Sequence, residues 1–488
     1  MNTSGNDQPC TGAARASLIE RLRKIVGSSG LLLDDEVRAR QIGMESRTSL
    51  QARVLVRPAN TAQVSAVLGA CHAAGVCVIP HGGLTGLVHG ADARAHDIIV
   101  SLERMQHIEA VDTTQRVLIA EAGVLLGQAQ DAVAAAGLLL PVDIGARGSA
   151  TLGGMVATNA GGNRVIRYGA MRENLRGLEV VLADGTVLDS MNTLVKNNSG
   201  YDIKQLFIGS EGTLGIVTRV VMRLCEPPAG RRVALVAMPD FAAVCALLRR
   251  IDHAMDGRLL AFEVMWQDFY RAVATPPAQA RAPLPPHYPF YALVEASVGD
   301  DSYADAFEDA LGAALDAGIV ADAAFCKNER ECAAVWALRD DVAQLRRFGP
   351  LVAYDISLRL ADTGHYVETV RSMIAQRWPG AQVWAFGHLG DGNVHLAVHV
   401  PGLDVQRRGE LDAVVYAPLR ALRGAVSAEH GIGIEKKPWL GVSRSPAEVN
   451  VMRLLKQALD PKGVLNPGRV FDSTAGSVES GPCSAIAP

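Results

Sequence analysis

Hydrophobic and polar positions follow two rhythms along this chain, and the rhythms alternate. SLIERLRKIV, residues 17–26, spaces its apolar side chains three and four apart, as one face of a helix does. RVLVRP (53–58) reads as a strand, TAQVSAVLGACHAAG (61–75) returns to helical spacing, and VCVIP (76–80) is again strand-like. That order predicts a β-α-β start. Near the other end NVMRLLKQAL (450–459) predicts a helix stopped by Pro461, and KGVLNPGRVF closes the patterned part.

Between these elements the pattern breaks at glycine. PHGGLTGLVHG (80–90), GARGSATLGGMVATNAGG (145–162) and LFIGSEGTLGIVT (206–218) predict three Gly-rich loops between strands. CEPPAG (225–230) separates them from a second region, itself interrupted by ATPPAQARAPLPPHYP (274–289). The expected organisation is a disordered 1–14, a first domain over 15–227, a second over 228–472, and a flexible tail from 473 to 488. No internal repeat is visible.

Composition narrows the classes. The 488 residues are 49% hydrophobic and 20% charged, enough to bury large cores in two or more domains. A net charge of -4 with mixed signs offers no basic face for phosphate backbones, so no nucleic-acid partner is expected. Eight cysteines form no CxxC pair and no regular framework, which points to a reducing, cytoplasmic setting. The polar MNTSGNDQPC has no secretory pattern and no stretch is apolar for long enough to span a bilayer, so any membrane contact would be peripheral, at the inner face.

A loop such as GGLTG lets backbone N–H groups approach an anion, because no Cβ blocks them and positive φ is cheap. One such loop is commonly just a turn; three in order suggest a pyrophosphate cradle. The nicotinamide fingerprint GxGxxG is missing. In the second region FGHLGDGNVHLAVH (386–399) puts His395, Ala397 and His399 on one face of a strand, and lets His388 return across the GDGN turn toward His395. With Glu429 of SAEHGIG (427–433) these could make a three-ligand metal site; spacing alone leaves a polar turn with surface histidines equally open. In WALRDD (336–341) Arg339 reads, by itself, as a surface ion pair with Asp340 or Asp341.

Over about residues 48–225 the three loops resemble the FAD-binding domain of the vanillyl-alcohol oxidase and p-cresol methylhydroxylase superfamily. That resemblance implies an α+β fold: a two-lobed FAD-binding domain followed by an α+β substrate domain with an antiparallel sheet. It assigns Pro80, Gly82, Gly83, Leu84, Thr85 and Gly86 to the pyrophosphate and Ser149, Thr151, Gly153, Gly154, Thr158 and Asn159 to the ring and ribityl chain. Glu211, Gly212 and Ile216 would flank the adenosine or the ring. Some relatives tether flavin through a His at the position of Leu84, so the FAD here is expected to be non-covalent. His81 and His89 read as hydrogen-bonding or solvated loop residues.

GHLGDGNVH followed by SAEHGIG is similar to the C-terminal domain of the D-lactate, glycolate and D-2-hydroxyglutarate dehydrogenase group, with AYDISL and LDPKGVLNPG nearest to the last. The resemblance implies His388, His395 and Glu429 as ligands of a divalent metal such as Zn²⁺, His430 as the base beside the substrate hydroxyl, and Arg339 on the substrate carboxylate. His399 is read as a strand-face residue. Three positions depart from the group: Ala343 and Ala353 replace a Thr and a Lys that bind a distal carboxylate, and Ala397 replaces an Asn. Lys436, Arg346 or Arg347 could take that carboxylate instead, or the substrate could lack one, as D-lactate does. The expected partners are a small 2-hydroxy acid and an electron acceptor such as an electron-transferring flavoprotein or a quinone, with a homodimer left open. A metal-dependent hydrolase with structural Gly loops and an FAD oxidase using oxygen are the other readings.

Overall fold

The computed structural model describes residues 12–40, 43, 50–278, 282–299 and 301–472. Its contacts form two compact units, one from the described residues of 1–160, 170–226 and 430–488, the other from 161–169 and 227–429. The compact units are not continuous in sequence: 161–169 and 430–472 each pack with the unit on the far side of the expected boundary at about 228. Residues 161–169 belong to the second unit because Ile166 packs over Gly390, where Phe262 also lies close, and Arg164 pairs with buried Glu295 at 3.2 Å. The last segment belongs to the first unit because its backbone joins a strand there: Val78 N donates to Val464 O and Asn466 N to Val78 O, both at 2.8 Å. Buried Lys456 locks it, donating to Thr213 O at 2.7 Å and to Asp460 Oδ2 and Leu465 O at 2.6 Å. Pairs this distant in sequence leave no local pattern.

The first unit holds two sheets. β1 (Leu31–Leu33), β2 (Val54–Val56), β3 (Val78–His81) and β4 (Ile98–Ser101) form one, in the order β1-β2-β4-β3, parallel except for β1. The β-α-β start is thus present, its helix Thr61–Ala74 capped by Asn60 and ended by Gly75 at φ 65. The other sheet is antiparallel: β5 (Ile108–Asp112), β6 (Val117–Glu121), β7 (Leu175–Val181), β8 (Val187–Ser190) and β9 (Ile216–Arg223), ordered β5-β6-β9-β7-β8. The first helix begins at Gly12, so residues 12–14 are ordered rather than frayed; 1–11 and 473–488 lie outside the described residues.

The second unit is one antiparallel sheet of seven strands: β10 (Arg231–Met238), β11 (Leu259–Trp266), β12 (Phe290–Ser297), β13 (Asp322–Phe325), β14 (Val352–Ser357), β15 (Gln382–His388) and β16 (Asn393–His399). Their order is β13-β10-β12-β11-β15-β16-β14. All eight residues of β11 are buried, which is why it reads as one apolar run. The whole is α+β, with mostly antiparallel sheets. No helix among the described residues is long and apolar enough to cross a membrane.

Candidate active site

In the first unit β3 ends at His81 and the chain runs on as Gly82-Gly83-Leu84-Thr85-Gly86. A Cβ on Gly83 would stand 1.9 Å from Ser149 O, and one on Gly82 2.7 Å from Thr151 Oγ1. The first two glycine loops therefore touch backbone to backbone, a closeness no side chain permits. Leu84 has φ 54, in the left-handed region. Among the described residues, the N–H groups from Gly82 to Gly86 donate to no protein acceptor. Successive open donors in such a loop make a concave anion site, and a dinucleotide pyrophosphate suits it.

The second loop is held from beneath. Thr151 Oγ1 accepts from Gly154 N at 3.2 Å, Thr158 Oγ1 donates to Gly154 O at 3.1 Å, and Asn159 Oδ1 accepts from Arg172 N at 2.9 Å. Gly153 lies so near Ala122 that a Cβ would be 2.6 Å from that side chain, while Ser149 is exposed at the rim.

In the third loop Glu211, at φ 53, accepts hydrogen bonds from Ile432 N at 2.6 Å and Gly433 N at 2.7 Å, so its carboxylate braces the returning C-terminal segment. Burial pushes its pKa up, against those two bonds and the nearby Lys436 charge, which lower it. Gly212 fits closely over Pro80, where a Cβ would meet the ring at 2.6 Å. Ile216 opens β9, buried and paired with Val181, so only its backbone could face a ligand. Asn466 donates through Nδ2 to Glu211 O at 2.7 Å, while its buried Oδ1, in a residue 3% exposed, has no partner among the described residues. That orphaned acceptor also fits a flavin nucleotide. His81 is a packed imidazole donating from Nε2 to Ala91 O at 2.8 Å, and His89 is exposed beside Asp92 at 3.2 Å.

In the second unit β15 and β16 are joined through the turn Leu389–Asp391, with Phe386 opposite His395. His388 and His395 come together edge to face, their ring centroids 5.3 Å apart. Glu429 Oε1 lies 3.9 Å from His388 Nε2, and one ligand atom from each of the three lies within 4.8 Å of the others. Tetrahedral Zn²⁺ holds ligand atoms about 3.4 Å apart, so small movements would close this set on a divalent ion. His399, at the far end of β16, donates to Pro350 O at 2.9 Å and stands apart from the set. His430 is where the chain passes into the first unit, and buried Lys436 follows there.

Two carboxylates that sequence reasoning missed support this cluster. Asp355 in β14, fully buried, accepts from Asn393 Nδ2 at 2.8 Å, from Ser427 Oγ and Ala428 N at 3.2 Å, and from Glu429 N at 2.9 Å, fixing the loop that carries Glu429. Glu263 in β11 is 1% exposed and faces both His388 Nδ1 and Arg339 Nε, each at 2.8 Å. Burial alone would raise its pKa, but His388 and the Arg339 guanidinium beside it hold it at about 2. Arg339 is thus buried, 5.2 Å over the Phe386 ring, with Asp340 only a 3.7 Å neighbour on its outer side. The surface ion pair is not the arrangement adopted. A charge inside the apolar runs LLAFEVMW and VAYDIS was the signal available, since such residues are almost never buried unpaired.

The three departures have places too. Ala353 pairs directly with Ala397, one step along the same face from the Asp355–His395 pair, and Ala343 is exposed. Arg347 donates to Ala272 O at 2.9 Å and lines a cavity of about 490 Å³ with Gln382, Val383 and Trp384, at the opposite end of β15 from His388. The structure does not bring it to the metal-type cluster.

Comparison with known proteins agrees in both halves. The family described as "FAD binding domain" matches residues 52–190, and "FAD linked oxidases, C-terminal domain" matches 227–470. The bovine (Bos taurus) mitochondrial D-2-hydroxyglutarate dehydrogenase is 41% identical over 433 residues, covering 87% of this chain and 78% of that protein. D-2-hydroxyglutarate dehydrogenase of Xanthomonas citri pv. viticola is 37% identical over 422 residues, covering 85% and 88%. The crystal structure of p-cresol methylhydroxylase with substrate bound shares the fold at a TM-score of 0.74, with 15% identity over 95% of this chain and 98% of that one. The chain therefore belongs to the FAD-linked oxidase family of FAD-dependent oxidoreductases.

Proposed function

We propose that this chain, an FAD-dependent hydroxy-acid dehydrogenase, oxidises a D-2-hydroxy acid to the 2-oxo acid with the help of a divalent metal, D-2-hydroxyglutarate being the first choice of substrate. The observation that carries the metal-assisted reading is the convergence of His388, His395 and Glu429 within 4.8 Å. These three would hold the ion, and Arg339 would meet the substrate carboxylate with its remaining donors. His430, peptide-bonded to Glu429, would take the hydroxyl proton. When bound, FAD accepts the hydride from the carbinol carbon, and a divalent ion acidifies the hydroxyl it coordinates. Proton and hydride leave the same alcohol, so the product is the ketone. The FAD would be non-covalent, since Leu84 stands at the tethering position, with an electron-transferring flavoprotein or a quinone as acceptor and a cytoplasmic location.

A second reading, D-lactate or another D-2-hydroxy acid without a distal carboxylate, is favoured by the small, uncharged Ala343, Ala353 and Ala397. An anaerobic panel of D- and L-2-hydroxy acids, following bleaching of the flavin band, separates the two. D-2-hydroxyglutarate should bleach fastest; bleaching by D-lactate alone replaces the first reading with the second. Removing metal with a chelator should slow bleaching and added Zn²⁺ restore it. Indifference to both would remove the metal from the proposal.

A further inference from the structure

We infer that Glu263 is a positioning residue that sets two groups at once, the ring tautomer of His388 and the guanidinium of Arg339. The inference rests on the proposed roles of those two residues and concerns what makes them competent. Register places Glu263 directly opposite His388 in the β11–β15 pairing, and β11 is buried along its whole length. One carboxylate oxygen, Oε1, lies 2.8 Å from His388 Nδ1; the other, Oε2, 2.8 Å from Arg339 Nε. A carboxylate only accepts, so Nδ1 carries a ring proton; Arg339 Nη2, which only donates, lies 3.4 Å from Nε2 and leaves that nitrogen its lone pair. Nε2 is the atom that faces Glu429, at 3.9 Å. Its lone pair is what a metal needs.

The same geometry says why glutamine cannot substitute. Its amide offers one acceptor and one donor where two acceptors are required. With the oxygen toward His388, its NH₂ confronts Arg339 N–H. With the oxygen toward Arg339, its NH₂ donates to Nδ1 and moves the ring proton to Nε2, which then cannot bind metal. Either arrangement breaks one of the two functions. Glu295, also buried on neighbouring β12, is the natural control: it accepts from Trp336 Nε1 at 2.7 Å and pairs with Arg164 at 3.2 Å and Arg231 at 3.5 Å, rather than with His388 or Arg339.

The test uses the flavin-loaded full chain. Zn²⁺ affinity is measured by competition with a chromophoric chelator for wild type, Glu263→Gln, Glu263→Asp and Glu295→Gln, alongside flavin content and far-UV circular dichroism. Glu263→Asp keeps the charge that neutralises Arg339 and shortens the reach, so it covers the case in which Glu263→Gln does not fold. Either Glu263 variant should lose Zn²⁺ affinity roughly 10- to 100-fold with flavin retained, while Glu295→Gln binds Zn²⁺ as wild type does. At saturating Zn²⁺ the Glu263 variants should keep a raised KM for the hydroxy acid, because Arg339 stays misplaced; a purely structural defect would not split in this way. Wild-type Zn²⁺ affinity in both Glu263 variants overturns the inference and leaves the metal site standing. A wild-type chain that binds no Zn²⁺ overturns both.

Discussion

The two units prepare their sites from opposite materials. The first unit removes side chains: Gly82 and Gly83 let loop backbones come close, and among the described residues the N–H groups from Gly82 to Gly86 donate to no protein acceptor. The second unit does the reverse, burying Glu263, Asp355 and His388 of its sheet and Arg339 of the helix Glu329–Asp340, each at most 6% exposed. A backbone cradle costs no burial of formal charge and has no titration, but it tolerates no added atom. A side-chain site gains strength from low dielectric, and for that reason every charge in it must be matched.

The sharpest way to break this contrast is Gly83→Ala. The new Cβ would fall 1.9 Å from Ser149 O, and backbone cannot retreat as a flexible side chain can. A cost of about 3 kcal/mol or more is expected, and the protein should purify colourless, read by the ratio of flavin to protein absorbance. Its Zn²⁺ stoichiometry should be that of wild type. Retained flavin would show that the two loops need not touch. Next in size is His395→Ala, which should leave flavin in place, abolish Zn²⁺ uptake, and lower kcat/KM by several kcal/mol, roughly a thousandfold.

The contrast also explains what could be read beforehand. Glycine loops announce themselves in one sequence window, so Gly82, Gly83 and Gly153 were legible, as were the helix Thr61–Ala74 and the hairpin bringing His388 to His395. Glu263 and Asp355 were not, because their partners lie 125 and 38 residues away and no local spacing links them. Glu211 was legible as a loop residue but not as a brace, since its partners Ile432 and Gly433 are 221 and 222 positions on. That 430–472 packs with the first unit was hidden for the same physical reason: Lys456 and Asn466 join that unit through hydrogen bonds to carbonyls more than 240 positions away.

Asp355→Asn sharpens the side-chain half. The carboxylate accepts four bonds, two of them from the Ala428 and Glu429 N–H groups; an amide would turn one acceptor into a donor against them. A loss of about 3 kcal/mol is expected in urea unfolding, with weaker Zn²⁺ binding because the loop holding Glu429 is released. Unchanged stability would mean the loop is held by something else.

The smallest effect tests whether the flavin half is as indifferent to pH as a backbone cradle should be. His81 is an exception: it is 3% exposed, donates to Ala91 O and directly precedes Gly82. Burial lowers its pKa from 6.5 to about 4. The unfolded chain therefore binds the proton first. Stability from His81 is complete above pH 6.5 and declines as pH falls toward 4, the difference amounting to about 3 kcal/mol at the acid limit. At neutral pH there is nothing to lose, so His81→Gln, which can still donate to Ala91 O, should match wild type there. Between pH 6.5 and 4, flavin release followed by fluorescence should be steeper in wild type than in this variant. Coincident release curves would remove His81 as the source and leave the flavin unit's acid sensitivity to its carboxylates, among them Glu211, whose raised pKa makes it the group whose protonation would next loosen the loop at Ile432 and Gly433.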